Sequence, residues 1–245
     1  MKLNISGGLI GYNLGNVTDC YAVDTVGSYG GYVGGLTGRN NGRLADCYAA
    51  GMVNGNQYVG GLTGYNSGRL ADCYARGAVA GNYDYIGGLA GYNNSNIINC
   101  YSTGSVSGDS NAGGLIGHNY YGSITESFWD VNTSGRVNSD GGEGKNTEQM
   151  QDVNTFLTAG WDFNTPVWKI CNGTNYPKLA SLPPIAGDFV CPDGVDWEDL
   201  AFFVQRWLQT NCNLNNDCDG TDIYRDGIVN FLDFAVFADN WLKQE

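Results

Sequence analysis

Positive charge is scarce in this 245-residue chain: 12 Lys and Arg stand against 25 Asp and Glu, for a net charge of -13. A surface of that sign repels phosphates and anionic headgroups, which excludes nucleic acid and acidic membranes as partners. Long apolar runs are missing too, and no stretch approaches the roughly 18 residues of a membrane helix. The opening Met1-Lys2-Leu3 meets Asn4, Ser6 and two glycines at once. No signal-peptide core forms there, and the expectation is a fragment or mature-form boundary. Histidine occurs once, at His118, and the acids of the first half, Asp46 and Asp72 included, are scattered among repeat positions. Paired carboxylates on one face, which carbohydrate-cleaving solenoids need, are not in evidence, so no enzyme is predicted. Proline is rare at 5 residues, whereas glycine reaches 38.

What is present is repetition. Residues 34–59 read GGLTGRNNGRLADCYAAGMVNGNQYV and residues 60–86 repeat that text almost unchanged. Counterparts begin at Gly7, Gly87 and Gly113, giving five copies over residues 7–135. Leu9, Leu36, Leu62, Leu89 and Leu115 line up, as do Asn13, Asn40, Asn66, Asn93 and Asn119. Cys20, Cys47, Cys73 and Cys100 follow at spacings of 27, 26 and 27, each trailed by a tyrosine. Within a copy, Leu44, Asp46 and Tyr48 alternate with Ala45 and Cys47, the period of strands. Glycine pairs and Asn-Gly steps suit turns between them. A unit that cannot bury its own face must stack on its neighbours, so the fold class is mainly β, a parallel β-solenoid of about five coils. Leu36, Leu44, Cys47 and Val53 are expected to point inward.

Stacking puts the cysteines one above another about 4.8 Å apart. They read as a buried, reduced ladder, and the asparagines as amides bonded along the stack. Tyr12, Arg39, Tyr65, Tyr92 and His118 share one position, an exposed rung whose aromatics are also of a kind that holds sugars. The first coil has no polar cap, so its edge offers unpaired strand groups to further repeats or another molecule. The text G-G-L-x-G-x-N, an aliphatic residue, then D-C-Y-A resembles the GLUG-motif repeats of large bacterial surface and secreted proteins. That resemblance implies an extracellular solenoid of an adhesin or similar assembly.

Past residue 135 the repeat stops. Residues 135–146 read as a linker or long turn. A short helix at Thr147, with Thr147 or Asn146 as its N-cap, then opens a closing unit carrying Phe156, Trp161, Phe163, Trp168 and Tyr176. Its text resembles the segment that follows such repeats, and its expected task is to cover the last coil. Ser181-Leu182-Pro183-Pro184 reads as a stiff hinge. The division is therefore 1–135 solenoid, 136–180 linker and aromatic cap, 181–186 hinge, and 187–245 a small helical domain.

Residues 185–245 hold 12 acidic against 3 basic residues, and they are a duplication with an offset of 34. Asp188, Asp196, Asp199, Phe203 and Trp207 match Asp222, Asn230, Asp233, Phe237 and Trp241. Each half reads as an acidic loop followed by an amphipathic helix. A calcium loop presents oxygens from positions 1, 3, 5, 7, 9 and 12 around a glycine turn. In the second half those are Asp222, Tyr224, Asp226, the Ile228 carbonyl, Asn230 and Asp233, with Gly227 at the turn; at Tyr224 a water or its own carbonyl fills in. The first half supplies Asp188, Asp193, Asp196 and Asp199, with Asp193-Gly194 displaced by one residue and so a weaker site. Cys171, Cys191, Cys212 and Cys218 form an even set with three open pairings. Cys212 with Cys218 is preferred, then Cys171 with Cys191.

A duplicated calcium loop and helix with Asp at position 12, carried most specifically by DGIVNFLDFAVFADNWL, resembles the dockerin family over residues 187–243. The resemblance implies attachment of a secreted protein to a cohesin-like module. The functional expectation is thus a non-catalytic extracellular structural or adhesion module with a calcium-stabilised docking domain. A self-assembling filament subunit, its partner being copies of itself, is one alternative. A solenoid that binds or degrades carbohydrate, with a surface polysaccharide as partner, is another.

Overall fold

The computed structural model describes residues 4–109, 111–182, 185–191, 194–212 and 216–243. Its contacts divide the chain into two units, Met1–Val167 and Trp168–Glu245.

The first unit is a parallel β-solenoid of five coils in which four rows of strands stack in register. One row runs Ile5–Gly7, Tyr32–Gly34, Val59–Gly60, Ile86–Gly87 and Ala112–Gly113; the next begins at Ile10–Asn13 and ends at Ile116–Asn119. A third contains Arg43–Ala49 paired with Arg69–Ala75, where Leu44, Cys47 and Tyr48 meet Leu70, Cys73 and Tyr74. The fourth stacks Val26–Gly27, Val53–Gly55, Val79–Gly81 and Val106–Ser107. In-register pairing turns each recurring residue into a column. Asn13 Nδ2 donates to Asn40 Oδ1 at 2.8 Å, and Asn40, Asn66 and Asn93 donate onward at 2.9, 2.7 and 2.8 Å. These amides satisfy one another where water is excluded.

Two features of the coil depart from simple alternation. Leu44 and Cys47 are both fully buried although three positions apart, which a straight strand does not allow. The chain turns at Asp46 (φ 53), and Asp19, Asp72, Asn99 and Glu126 repeat the left-handed turn in the other coils. Asp and Asn tolerate that region best among residues with a side chain, so the D-C step is a kink that restores Cys47 to the interior. The interior itself is divided. Leu36, Leu44, Cys47 and their counterparts form one apolar cluster, and Val33, Val53, Val59, Val79 and Ile86 form another. The waist between them is backbone on backbone: a Cβ on Gly34 would stand 2.7 Å from Thr63 Cα, and one on Gly64 2.5 Å from Val33 N.

The glycine-rich stretch after residue 135, expected as a linker or long turn, closes the last coil instead. Arg136 donates from Nε to the Val106 carbonyl at 3.0 Å and from Nη2 to that of Gly108 at 2.8 Å. Ser139 Oγ accepts from the Leu115 and Ile116 amides, and Asp140 Oδ2 from the Asn119 amide. Glu143–Lys145 then pairs in parallel with Phe128–Asp130. Such a cap needs donors and acceptors rather than apolar alternation, which is why its text resembles a loop. The helix Thr147–Met150 carries a capping box on Asn146, and Met150, Phe156 and Trp161 are buried. Trp161 Nε1 donates to the Glu126 carbonyl at 3.0 Å.

In the second unit Trp168–Lys169 pairs antiparallel with Lys178–Leu179. Of the expected hinge, Pro183 and Pro184 lie outside the described residues. Helices Trp197–Val204 and Phe231–Asp239 start at equivalent positions of the duplication, each with a capping box. The halves interlock with internal twofold pseudosymmetry. Val195 exchanges backbone bonds with Leu242 and Lys243, and Val229 does so with Leu208 and Gln209. Trp197 meets Trp241 and Phe231 meets Trp207 edge-on, both with centroids 5.0 Å apart. Phe203 and Phe237, the central pair, stack at 5.4 Å.

Candidate metal-binding loops

Backbone and helix cap together gather the second loop. Asp233, at the third position of its helix, is fully buried; its Oδ2 accepts from the Asn230 amide at 2.8 Å and its Oδ1 from the Tyr224 amide at 2.8 Å. Asp222 is buried as well and accepts from the amides of Asp226 (3.1 Å) and Gly227 (2.9 Å). Gly227 has φ 94, a region open to glycine, and it lets the chain fold back over Asp222. Asp226 is exposed at the loop tip. One oxygen from each of Asp222, Asp226 and Asp233 lies within 4.8 Å of the others.

Three hard oxygens at that spacing fit a cation that binds oxygens at about 2.3–2.6 Å. Asn230 Nδ2 bridges Asp226 Oδ2 (3.0 Å) and the Ile228 carbonyl (3.1 Å), so the positive end of an amide dipole already sits among these acceptors. The oxygens gathered there are the carboxylates of Asp222, Asp226 and Asp233, hard donors of the kind calcium takes, whereas Asn230 Oδ1 is turned to the Leu232 amide at 2.7 Å. Tyr224 is 60% exposed and contributes its amide to Asp233.

The first loop repeats the scaffold. Asp199 is buried and accepts from the Phe189, Val190 and Asp196 amides at 2.6, 3.0 and 3.0 Å. Asp196 caps the helix through the Glu198 amide. Asp193 lies outside the described residues. Among the described residues, Asp188, Asp196 and Asp199 form no cluster like that of the second loop. Sequence reasoning passed over Asp217 and Asp219, which line a cleft of about 370 Å³ together with Asp188 and Asp222; the D-C-D text between the halves was the available signal. Disulfides join Cys171 to Cys191 and Cys212 to Cys218, with Cα–Cα distances of 5.4 and 4.6 Å.

The solenoid offers different chemistry. Cys20, Cys47, Cys73 and Cys100 are free thiols. Burial pushes the Cys73 thiol well above its ordinary range. The Cys73 thiol and then burial do the same to Cys47. Protonated thiols of this kind are poor nucleophiles and metal ligands. The Tyr12 rung is self-occupied: Arg39 stands over Tyr12 and Tyr65, Tyr65 stacks on Tyr92 at 4.7 Å, and Tyr92 meets His118. The ring faces of Tyr65 and Tyr92 are therefore covered by neighbours along the stack.

Coiled stacking and a duplicated acidic segment define the class, a parallel β-solenoid with an appended loop-helix unit. In particular, the chain carries GLUG motifs, matched at residues 4–27, 55–80 and 82–107. The intervening residues include Arg43–Ala49, which pairs with Arg69–Ala75 at six aligned positions. A putative Gly-rich membrane protein of Evansella cellulosilytica is 39% identical over 72 residues, covering 28% of this chain and 8% of that protein. This chain thus spans a small part of its relative. No solved structure matches it. Among the described residues no helix is long and apolar enough to cross a membrane.

Proposed function

We propose that this chain is a non-catalytic extracellular structural or adhesion module whose C-terminal unit is a calcium-stabilised docking domain of dockerin-like design. The observation that carries the reading is the convergence of Asp222, Asp226 and Asp233, two of them buried, around one small volume. Buried like charges repel unless a cation joins them, so cation binding becomes folding free energy. Docking is supported by apolar side chains left in solvent at equivalent places in both halves: Trp197 and Phe231 are 72% and 76% exposed, Leu208 and Leu242 64% and 66%. Such groups on a small domain suit a protein partner, a cohesin-like module by the dockerin resemblance.

Calorimetry of the whole chain in calcium and in chelator tests this. Calcium at 100 times its Kd is expected to stabilise the C-terminal unit by about 2.7 kcal/mol and to leave the solenoid transition in place. Asp226→Ala is expected to abolish the difference. Identical melting profiles in both conditions overturn the reading.

A further inference from the structure

The loops joining the fourth strand row to the first carry two aromatic rings that, unlike the Tyr12 rung, are uncovered. Tyr29, in the first coil, is 95% exposed and Tyr83, in the third, 62%. Among the described residues no ring or cation stacks on either. Tyr29 lines a shallow groove of about 270 Å³ with Gly27, Asn54, Gly55, Asn56 and Asn82, and Tyr83 follows Asn82 in the chain. Asn82 Nδ2 donates to Asn56 Oδ1 at 2.9 Å, and Asn56 Nδ2 to the Tyr29 carbonyl at 3.0 Å, so these amides are held in line along the stack. Asn54 pairs in register with Gly27 and Ala80, and its side-chain amide makes no hydrogen bond to the described residues. The Gly27 side of the row is open, since a Cβ there would meet nothing within 4 Å.

We propose that this groove binds an extended, neutral polysaccharide lying along the solenoid axis. Tyr29 aligns through Asn56 with Asn82 two coils away, about 9.6 Å, and Tyr83 is the next residue, so the two tyrosines are carried on a backbone step suited to alternate sugar rings that present the same apolar face. A phenol ring stacks on that face, while amides take the hydroxyls on both donor and acceptor sides. Charge selects against acidic glycans: no Lys or Arg occurs at positions 27–31, 54–58 or 80–85, Asp84 adjoins Tyr83, and the net charge is -13. The chemistry also selects against a protein partner, because isolated rings among amides lack the contiguous apolar centre of a protein interface. This inference stands apart from the calcium loops.

Affinity electrophoresis of the whole chain through gels containing hydroxyethyl cellulose or polygalacturonate tests it. Retardation is expected in the neutral polymer only, equally in calcium and in chelator, so that failure of the calcium reading leaves it untouched. Tyr29→Ala should weaken retention about tenfold, Tyr83→Ala should add to it, and Tyr29→Phe should retain binding. Tyr29 is almost wholly exposed, so its truncation leaves the coil intact; Asn54→Ala, which removes only a surface amide, is a second arm expected to weaken retention. Absence of retardation in hydroxyethyl cellulose, stronger retardation in polygalacturonate, or retention that survives the Tyr29→Ala/Tyr83→Ala pair overturns the proposal.

Discussion

Asp46 holds its carboxylate in a column with Asp19 and Asp72. Burial first, then the charges of Asp72 and Asp19, raise its pKa above the ordinary 3.8, with Arg43 opposing. The folded state therefore holds the proton more tightly than the unfolded chain, and stability falls as pH rises through the window above 3.8. Asn99 occupies the same position one coil beyond Asp72, with φ 51, and donates from Nδ2 to Asp72 Oδ1 at 3.1 Å. Asp46→Asn keeps a residue fit for the left-handed turn and removes a charge. It is expected to raise the solenoid Tm at pH 7 by about 1–3 °C, the scale of a half-exposed charge interaction. Below the ordinary Asp range the gain should vanish. Thermal melts at the two pH values check this, and a gain of equal size at low pH would contradict the charge explanation.

Among elements, the cap formed after residue 135 decides whether the last coil frays. Arg136 reaches the Val106 carbonyl of the fourth row and the Gly108 carbonyl just past it, while Ser139 and Asp140 serve the second row and Glu143–Lys145 the third. Removing a charged donor from a closed strand edge costs about 1.5–3 kcal/mol. Arg136→Ala is expected to lower the solenoid transition by that amount and to raise amide exchange first in Val106–Ser107 and Ala112–Gly113. Arg136→Lys should recover only part, since an ammonium lacks the fork that meets two carbonyls. Exchange that rises uniformly over all five coils would show that the cap acts through global stability alone.

At the scale of the whole molecule, the last coil of the solenoid is closed: Arg136 binds the Val106 carbonyl, Ser139 and Asp140 bind the Ile116 and Asn119 amides, and Glu143–Lys145 pairs with Phe128–Asp130. A head-to-tail filament needs two complementary surfaces, and the cap withdraws one of them. Light scattering in calcium at rising concentration is therefore expected to give a single particle mass; regular fibres would promote the filament reading over the docking reading.

How far the text alone reached follows from the geometry of stacking. A parallel, in-register coil translates a recurring residue directly into a contact. Thus Asn13, Asn40, Asn66 and Asn93 at spacings of 26–27 were legible as an amide ladder, and the cysteines as an interior column. The same holds for the offset of 34, which set Trp197 against Trp241 and Phe231 against Trp207. The path within one coil was not legible. The kink at Asp46 is spelled with a residue that elsewhere caps helices and lines loops, and the cap at Arg136 is written in linker composition. Nothing in the text separated the self-stacked Tyr65 and Tyr92 from the free Tyr29 and Tyr83.

The sequence by itself determined the repeat, the number of coils and which residues stack, because identity at a fixed interval becomes adjacency once strands pair in parallel. Only the tertiary structure decided the divided interior, the closure of the last coil and which tyrosine faces meet solvent. Those depend on where the backbone approaches itself across a coil, and glycine contacts at Gly34 and Gly64 carry no periodic mark beyond the repeat that contains them.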